Sequence, residues 1–349
     1  MVEGVEKPKD RDFIETTEGL IFCVVGYLHP LDRYTAYLKY VPATEGKWTR
    51  GGTRYSRVVP FYHVTQVLNT YNLLKEKYPQ YIFDCPVRKI TISSIPHTNV
   101  KKYYLPRERL ETLTKEGAVD ALEQKLLDLV DFLKTEANLH LSDFGVTGSI
   151  LTRNHNLAFS DIDLTIHGLK ASNAVKETVL KKREEGGTLE PFSKKQATEW
   201  STTRAARFPL STEELKKIVE RRWNYSFFDK TYISFHPIRL DNEINETYGD
   251  FNYQPKGVVH GTAEIVDSTE SFLLPAIYKV DNVKVDSPNL NIRQLVSFEG
   301  LFSDIFREGE KIEFAGTLEE VSGKDSYHRV VVGSSSFKDS FIKLRKFCI

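Results

Sequence analysis

The chain has 349 residues, 40% of them hydrophobic and 28% charged, and its 48 Lys+Arg balance its 48 Asp+Glu. That length provides for two or three domains, no apolar run is long enough to span a bilayer, and the first residues lack the apolar core of a secretory signal. The expectation is a cytoplasmic protein with no membrane contact, whose three widely spaced cysteines, Cys23, Cys85 and Cys348, are reduced thiols in no zinc-binding spacing.

In chain order, residues 19–41 read as two strands rich in Val, Ile, Phe and Tyr around the turn His29-Pro30-Leu31-Asp32, a hairpin. A polar loop follows, in which Arg50, Arg54 and Arg57 alternate with Trp48 and Tyr55. Val64, Leu68, Tyr71 and Leu74 then fall at helical spacing, with Pro79 after the stop. Residues 87–95 alternate like a strand. Residues 117–136 carry the clearest helix, with Val119, Leu122, Leu126, Leu129, Val130 and Leu133 on one face. A helical stretch near 171–184 is followed by a polar region, 184–209, read as loop with a short helix at most. Ser211 or Thr212 caps the next helix, which runs to about Trp223. Residues 231–238 alternate like a strand. From Gly257 onward short β-like runs appear at 258–267, 276–280, 282–285, 294–298, 311–320 and 328–333, the pattern of a small barrel or sandwich.

These elements predict an α+β chain in three parts: a basic α+β N-terminal domain (1–112), a core (113–250) and a small β-rich domain (251–349). The neutral net charge hides an asymmetry. Residues 1–110 carry 17 Lys+Arg against 11 Asp+Glu, residues 111–250 carry 19 against 23, and residues 251–349 carry 12 against 14. A basic first third suits a polyanion, with RNA as the candidate partner of residues 1–112. The loop cations and Lys101-Lys102-Tyr103-Tyr104 suit phosphates and bases, and a plain solvated loop equally well.

The densest chemistry lies in Phe144-Gly145-Val146-Thr147-Gly148-Ser149, followed by Ser160-Asp161-Ile162-Asp163-Leu164. Small residues let a backbone approach a phosphate. On a strand, Asp161 and Asp163 point to the same face, a pair suited to a hard divalent cation such as Mg²⁺ or Mn²⁺. Unpaired carboxylates at the head of a buried strand are costly, which favours a metal or a basic partner beside them.

This segment resembles the core signature of the polymerase-beta-type nucleotidyltransferase superfamily, in which a Gly-Ser pair ends one strand and Asp-x-Asp sits in the next. The resemblance covers roughly residues 117–240. It implies a mixed sheet flanked by helices. It also implies that Gly148 and Ser149 hold the triphosphate of an NTP, and that Asp161 and Asp163 bind Mg²⁺ or Mn²⁺. Thr147 and Arg153 lie close enough to add phosphate contacts. The expected activity is metal-dependent transfer of a nucleoside monophosphate from an NTP such as ATP to a hydroxyl acceptor, RNA being one. The alternative is a non-catalytic nucleotide- or RNA-binding protein on the same scaffold. The family carries a third carboxylate on a later strand. Here that strand is Ile233-Ser234-Phe235-His236-Pro237-Ile238, with no Asp or Glu. His236 sits near the missing position, either as a satisfied strand histidine or as a catalytic base or ligand.

Overall fold

A computed structural model describes residues 7–59, 64–286, 290–334 and 337–345. Cys348 lies outside them. About 30% of the chain is helix and 38% strand, in mixed sheets, and the fold is α+β.

The first sheet is antiparallel. It holds β1 (Phe13–Thr16), β2 (Ile21–Val24), β3 (Arg33–Pro42), β4 (Trp48–Arg50) and β5 (Thr53–Arg57). Helix α1 (Val64–Lys77) follows, then β6 (Ile82–Cys85), β7 (Ile90–Pro96) and β8 (Val100–Tyr104). Spatial order is β4-β5-β3-β2-β1-β8, and β7 joins β3 to β6. The expected hairpin is β2–β3, with Ile21 opposite Tyr40. One sheet face packs Ile14, Phe22, Leu38 and Tyr81 against Leu74 of α1. The other packs Phe13, Cys23, Tyr37 and Tyr40 against Leu151, in the next part of the chain.

The second part begins with α2 (Pro106–Glu116) and α3 (Ala121–Ala137). Asp120 caps α3 by accepting hydrogen bonds from Leu122 N and Glu123 N, and Leu122, Leu126, Leu129, Val130 and Leu133 are buried as the periodicity requires, while Val119, expected on the same face, precedes the cap and is exposed. Then come β9 (Phe144–Val146), α4 (Gly148–Leu151), β10 (Ile162–His167), α5 (Leu169–Glu185), β11 (Leu189–Glu190), α6 (Lys194–Ala205), α7 (Thr212–Arg221), β12 (Tyr225–Phe228) and β13 (Thr231–Ile238). The sheet order is β11-β12-β13-β10-β9. β10 and β13 run parallel, the other pairs antiparallel. Ser211 caps α7 in a reciprocal pair with Glu214, as its sequence signals.

The polar stretch expected to be mostly loop contains α6, started by a Ser193–Gln196 capping box. Its sequence has no periodic apolar stripe, because Trp200 alone supplies a large buried side chain. Local capping and one anchor hold it.

The last sheet comprises β14 (Phe251–Asp267), β15 (Ala276–Val285), β16 (Ile292–Ser297), β17 (Lys311–Gly323), β18 (Ser326–Val332) and β19 (Phe341–Leu344). Its order is β14-β15-β16-β18-β17-β19, and β14 also pairs with β17. That extra pairing closes five strands into a barrel, which removes their free edges. The runs expected separately at 276–280 and 282–285 are one strand. The barrel core reaches back in sequence, since Trp200, Leu215, Ile218 and Val219 pack with Ile265, Tyr278, Phe302 and Phe314. Helices α6 and α7 thus belong to the barrel core, although they precede residue 251. Among the described residues no helix is long and apolar enough to cross a membrane.

Candidate functional site

The Gly-Ser and Asp-x-Asp segments meet at the end of β9 and the start of β10. Val146 lies opposite Leu164, and Thr147 N donates to Asp163 O at 2.9 Å. Gly148 opens α4 with φ +68°, and a Cβ there would stand 2.3 Å from Asp163 Oδ2. Both the backbone conformation and the close carboxylate exclude a side chain. Ser149 Oγ donates to Ser160 Oγ at 3.4 Å, and that hydroxyl accepts Asn156 N at 2.9 Å. Thr147 is buried, and its hydroxyl donates to Arg11 O at 2.6 Å. It therefore ties the segment before β1 to this site.

β13 lies alongside, with Ser234 level with Asp163 and His236 level with Thr165. Ser234 Oγ–H donates to Asp163 Oδ1. His236 Nε2 lies 2.8 Å from Ser234 Oγ and 3.4 Å from Asp163 Oδ1. An ionised Asp163 only accepts, so the consistent assignment has His236 Nε2–H donating to the serine. Burial holds the His236 imidazole neutral, down at about 4, with the nearby Arg11 charge acting in the same direction. Burial alone would raise the Asp163 carboxyl. The His236 hydrogen bond, with Lys39 and Ser234, overrides it and holds Asp163 well below the usual range. Asp161 is exposed toward the cavity, but enclosure by the surrounding walls and then the Asp163 charge push its carboxyl up to about 6.

These side chains line a cavity of about 430 Å³. The first sheet supplies Lys39 from β3 and Arg57 from β5, with Arg11 just before β1. Arg57 Nε is buried with no hydrogen-bond partner among the described residues. Burial lowers the Lys39 ammonium from its ordinary value, and its Nζ stands 4.8 Å from the Phe13 ring centre. Arg204, Arg207 and Arg222 also line the cavity, with Glu299 from the barrel part. Trp48 packs edge-on to Tyr40 at 5.7 Å and to the exposed Phe159 at 5.9 Å, next to Asp161. Six cations thus face three carboxylates, in a setting suited to a polyphosphate with an aromatic base.

A comparison with known proteins gives one relative. An uncharacterized protein of Methanocaldococcus jannaschii is 30% identical over 350 residues, spanning 97% of this chain and 100% of that protein. The chain belongs to that protein's family. No protein-family model and no solved structure matches it.

Of the residues singled out by sequence, Gly148, Ser149, Thr147, Asp161, Asp163 and His236 converge on this cavity. Arg153 does not line it. α4 ends at Leu151, Arg153 takes φ +55°, and its side chain is exposed. The loop arginines also separate. Arg57 lines the cavity, Arg54 is exposed, and Arg50 pairs with Glu15 at 2.6 Å and donates to Tyr55 at 2.9 Å. Ser234, Lys39, Arg11 and Arg204 carry no sequence motif and come together only by folding.

Do the residues fit a divalent cation? Asp163 presents Oδ1 to Ser234 and His236 and lays Oδ2 against Gly148, while Asp161 opens to the cavity. Mg²⁺ commonly binds through one or two carboxylates and completes its shell with water and substrate phosphates. The pair fits one such ion, and β13 brings no carboxylate for a second. Elsewhere Asp120, Glu123 and His155 lie within 4.8 Å of one another. Their carboxylates are already engaged, Asp120 by the α3 cap and His155, Glu123 by Arg109 at 2.5 Å. The cluster reads as an ion-paired helix cap.

Proposed function

We propose that this protein is a polymerase-beta-type nucleotidyltransferase that binds an NTP in the cavity and transfers its nucleoside monophosphate to a hydroxyl acceptor. The observation that carries this reading is the seating of Asp163 against Gly148, with Asp161 and Ser149 lining the same cavity among cations and aromatic rings. Lys39 and Arg57, whose charges act on Asp161, and Arg11, whose charge acts on His236, would hold the triphosphate. The Trp48–Phe159 edge at the mouth would take the base. Asp161 and Asp163 would hold Mg²⁺ or Mn²⁺, which supplies positive charge to the phosphate oxygens. Ser234 and His236 orient Asp163 and keep it ionised.

The acceptor oxygen attacks the α-phosphorus, the bond from that phosphorus to the α,β-bridging oxygen breaks, and pyrophosphate leaves. The hydroxyl proton passes to cavity water. His236 Nε2 already donates to Ser234, so the ring nitrogen facing the aspartates holds its proton and does not take one from the acceptor. That arrangement also favours a second reading, a nucleotide-binding protein without catalysis, because β13 carries Ser234 and His236 where a third carboxylate would complete a two-metal site.

The test is incubation with labelled NTPs, Mg²⁺ or Mn²⁺ and total RNA. Labelled acceptor that disappears in Asp161→Asn supports transfer. Metal-dependent NTP binding without labelled product supports the binding reading. Unchanged binding of Mg·ATP in both Asp161→Asn and Asp163→Asn removes the site from either.

A further inference from the structure

The cations of the cavity form two groups. Lys39 comes from β3 and Arg57 from β5 of the first sheet, with Arg11 just before β1. Arg204 comes from α6 and Arg222 from the end of α7, where it is tied to the barrel part at Gly300 and Leu301. Aromatic rings fix this second group. The Arg204 guanidinium lies 3.9 Å from the Trp200 ring centre, and that of Arg222 4.1 Å from Tyr225 and 5.9 Å from Trp200. Guanidinium stacking of this kind immobilises the charge and leaves the N–H edges to make hydrogen bonds.

The Arg222 edge is only partly satisfied from within. Arg222 is only 3% exposed. Its Nη1 donates to Gly300 O at 2.8 Å and to Leu301 O at 3.3 Å. Its Nε and Nη2, and Trp200 Nε1, are buried and have no hydrogen-bond partner among the described residues. Buried donors without acceptors are rare and costly. Here three of them, two on Arg222 and one on Trp200, belong to residues that line the cavity together with Arg204. A planar, preorganised fork with free N–H groups is what a phosphoryl group binds.

We propose that Arg204 and Arg222 form a second anion seat, separate from the triphosphate, which receives a phosphate monoester carried by the acceptor. The inference rests on the nucleotidyltransferase reading, because it takes the aspartate side as the NTP side. The stacking faces of Trp200 and Tyr225 are covered by arginine, so the seat reads charge and not a base. The acceptor is therefore a hydroxyl compound that already bears a phosphate, from one of two sources. It is either a small phosphorylated molecule or the phosphorylated end of an oligonucleotide.

The test uses the full-length protein and calorimetry. The probes are inorganic phosphate, the Mg²⁺ complex of α,β-methylene-ATP, ribose 5-phosphate against ribose, and a short oligoribonucleotide with and without a 5′-phosphate. Inorganic phosphate should bind to protein already saturated with the ATP analogue. Arg204→Gln and Arg222→Gln should each weaken phosphate about tenfold or more and leave the ATP analogue in place. Arg222 also ties down Gly300 and Leu301, so Arg204→Gln, whose guanidinium rests on the Trp200 face, guards against a folding artefact. Whichever phosphorylated probe gains more over its unphosphorylated form names the source. Displacement of phosphate by the ATP analogue, or phosphate binding that survives both substitutions, overturns the second seat. So does the absence of any gain from phosphorylation. An Asp161→Asn variant that keeps full affinity for the ATP analogue would instead sink the nucleotidyltransferase reading and leave the arginine seat standing.

Discussion

Replacing Gly148 with Ala tests whether the close approach of backbone and carboxylate builds the site. Two costs follow from the geometry. At φ +68° an L-residue pays about 1–2 kcal/mol for the left-handed backbone. The added methyl would stand 2.3 Å from Asp163 Oδ2, and crowding of that kind costs about 1–3 kcal/mol. Asp163 cannot swing aside freely, because Ser234 and His236 hold its other oxygen. The sum is about 2–5 kcal/mol. Gly26→Ala separates the two terms. Gly26 has φ +71° and open space around a Cβ, so it pays the backbone cost alone, about 1–2 kcal/mol. Thermal unfolding should show a larger loss of Tm for Gly148→Ala than for Gly26→Ala. Titration with Mg²⁺ and α,β-methylene-ATP should show weakened binding only for Gly148→Ala. Equal Tm losses with unchanged nucleotide affinity would refute the argument.

The β13 pair gives a second prediction. His236→Ala should slow nucleotidyl transfer and weaken metal-dependent NTP binding, because Asp163 loses a partner that keeps it ionised, while His236→Asp, which places a carboxylate on that strand, should raise metal-dependent transfer; identical binding and rates in all three proteins would reduce His236 to a strand residue. The pH dependence of stability gives a third. Burial, with Arg107 and Lys9 nearby, holds His167 down at about 3, below an unfolded value of about 6.5. The unfolded chain therefore binds the proton first. The stability His167 contributes is complete above about pH 6.5 and is lost as pH falls toward about 3, by up to about 1.4 kcal/mol per unit. Asp161, raised to about 6, works in the opposite sense, so the clean comparison is His167→Gln against wild type by chemical denaturation between pH 6.5 and 4.5, where the variant should show the shallower fall. Parallel curves would mean that His167 is not held neutral by its surroundings.

What the sequence discloses depends on how local the cause is. Helix α3 is legible because five buried residues repeat at helical spacing behind an Asp120 cap, and α7 because Ser211 and Glu214 satisfy each other within one turn. The dicarboxylate is legible for the same reason, since period two along β10 places Asp161 and Asp163 on one face. Period two also leads to His236, and equally to Ser234, but a serine in a strand carries no signal of its own. Its importance comes from the parallel register that sets it level with Asp163. Arg153 is the converse case: it is near the motif in sequence, but a positive φ after α4 directs it to solvent.

The walls of the cavity were least accessible, and the reason bears on function. Lys39 and Arg57 reach Asp161 from the first sheet, and Arg222 is anchored to carbonyls of the barrel part. No spacing rule links positions 78 or more residues apart. Helix α6, which carries Arg204, lacks an apolar stripe and is held by Trp200 alone among large side chains. The motif therefore supplies one wall, with the equipment for a metal and a triphosphate. The N-terminal sheet supplies the second, and α6, β12 and the barrel part together supply the third. On the proposed reading, acceptor selection resides in that third wall, where Arg222 and Trp200 hold buried donors without partners among the described residues. A fragment limited to residues 113–250 would keep both aspartates and Arg222. It would lose Lys39, Arg57 and the Gly300 and Leu301 carbonyls that orient Arg222, so both anion seats depend on all three parts of the chain folding together.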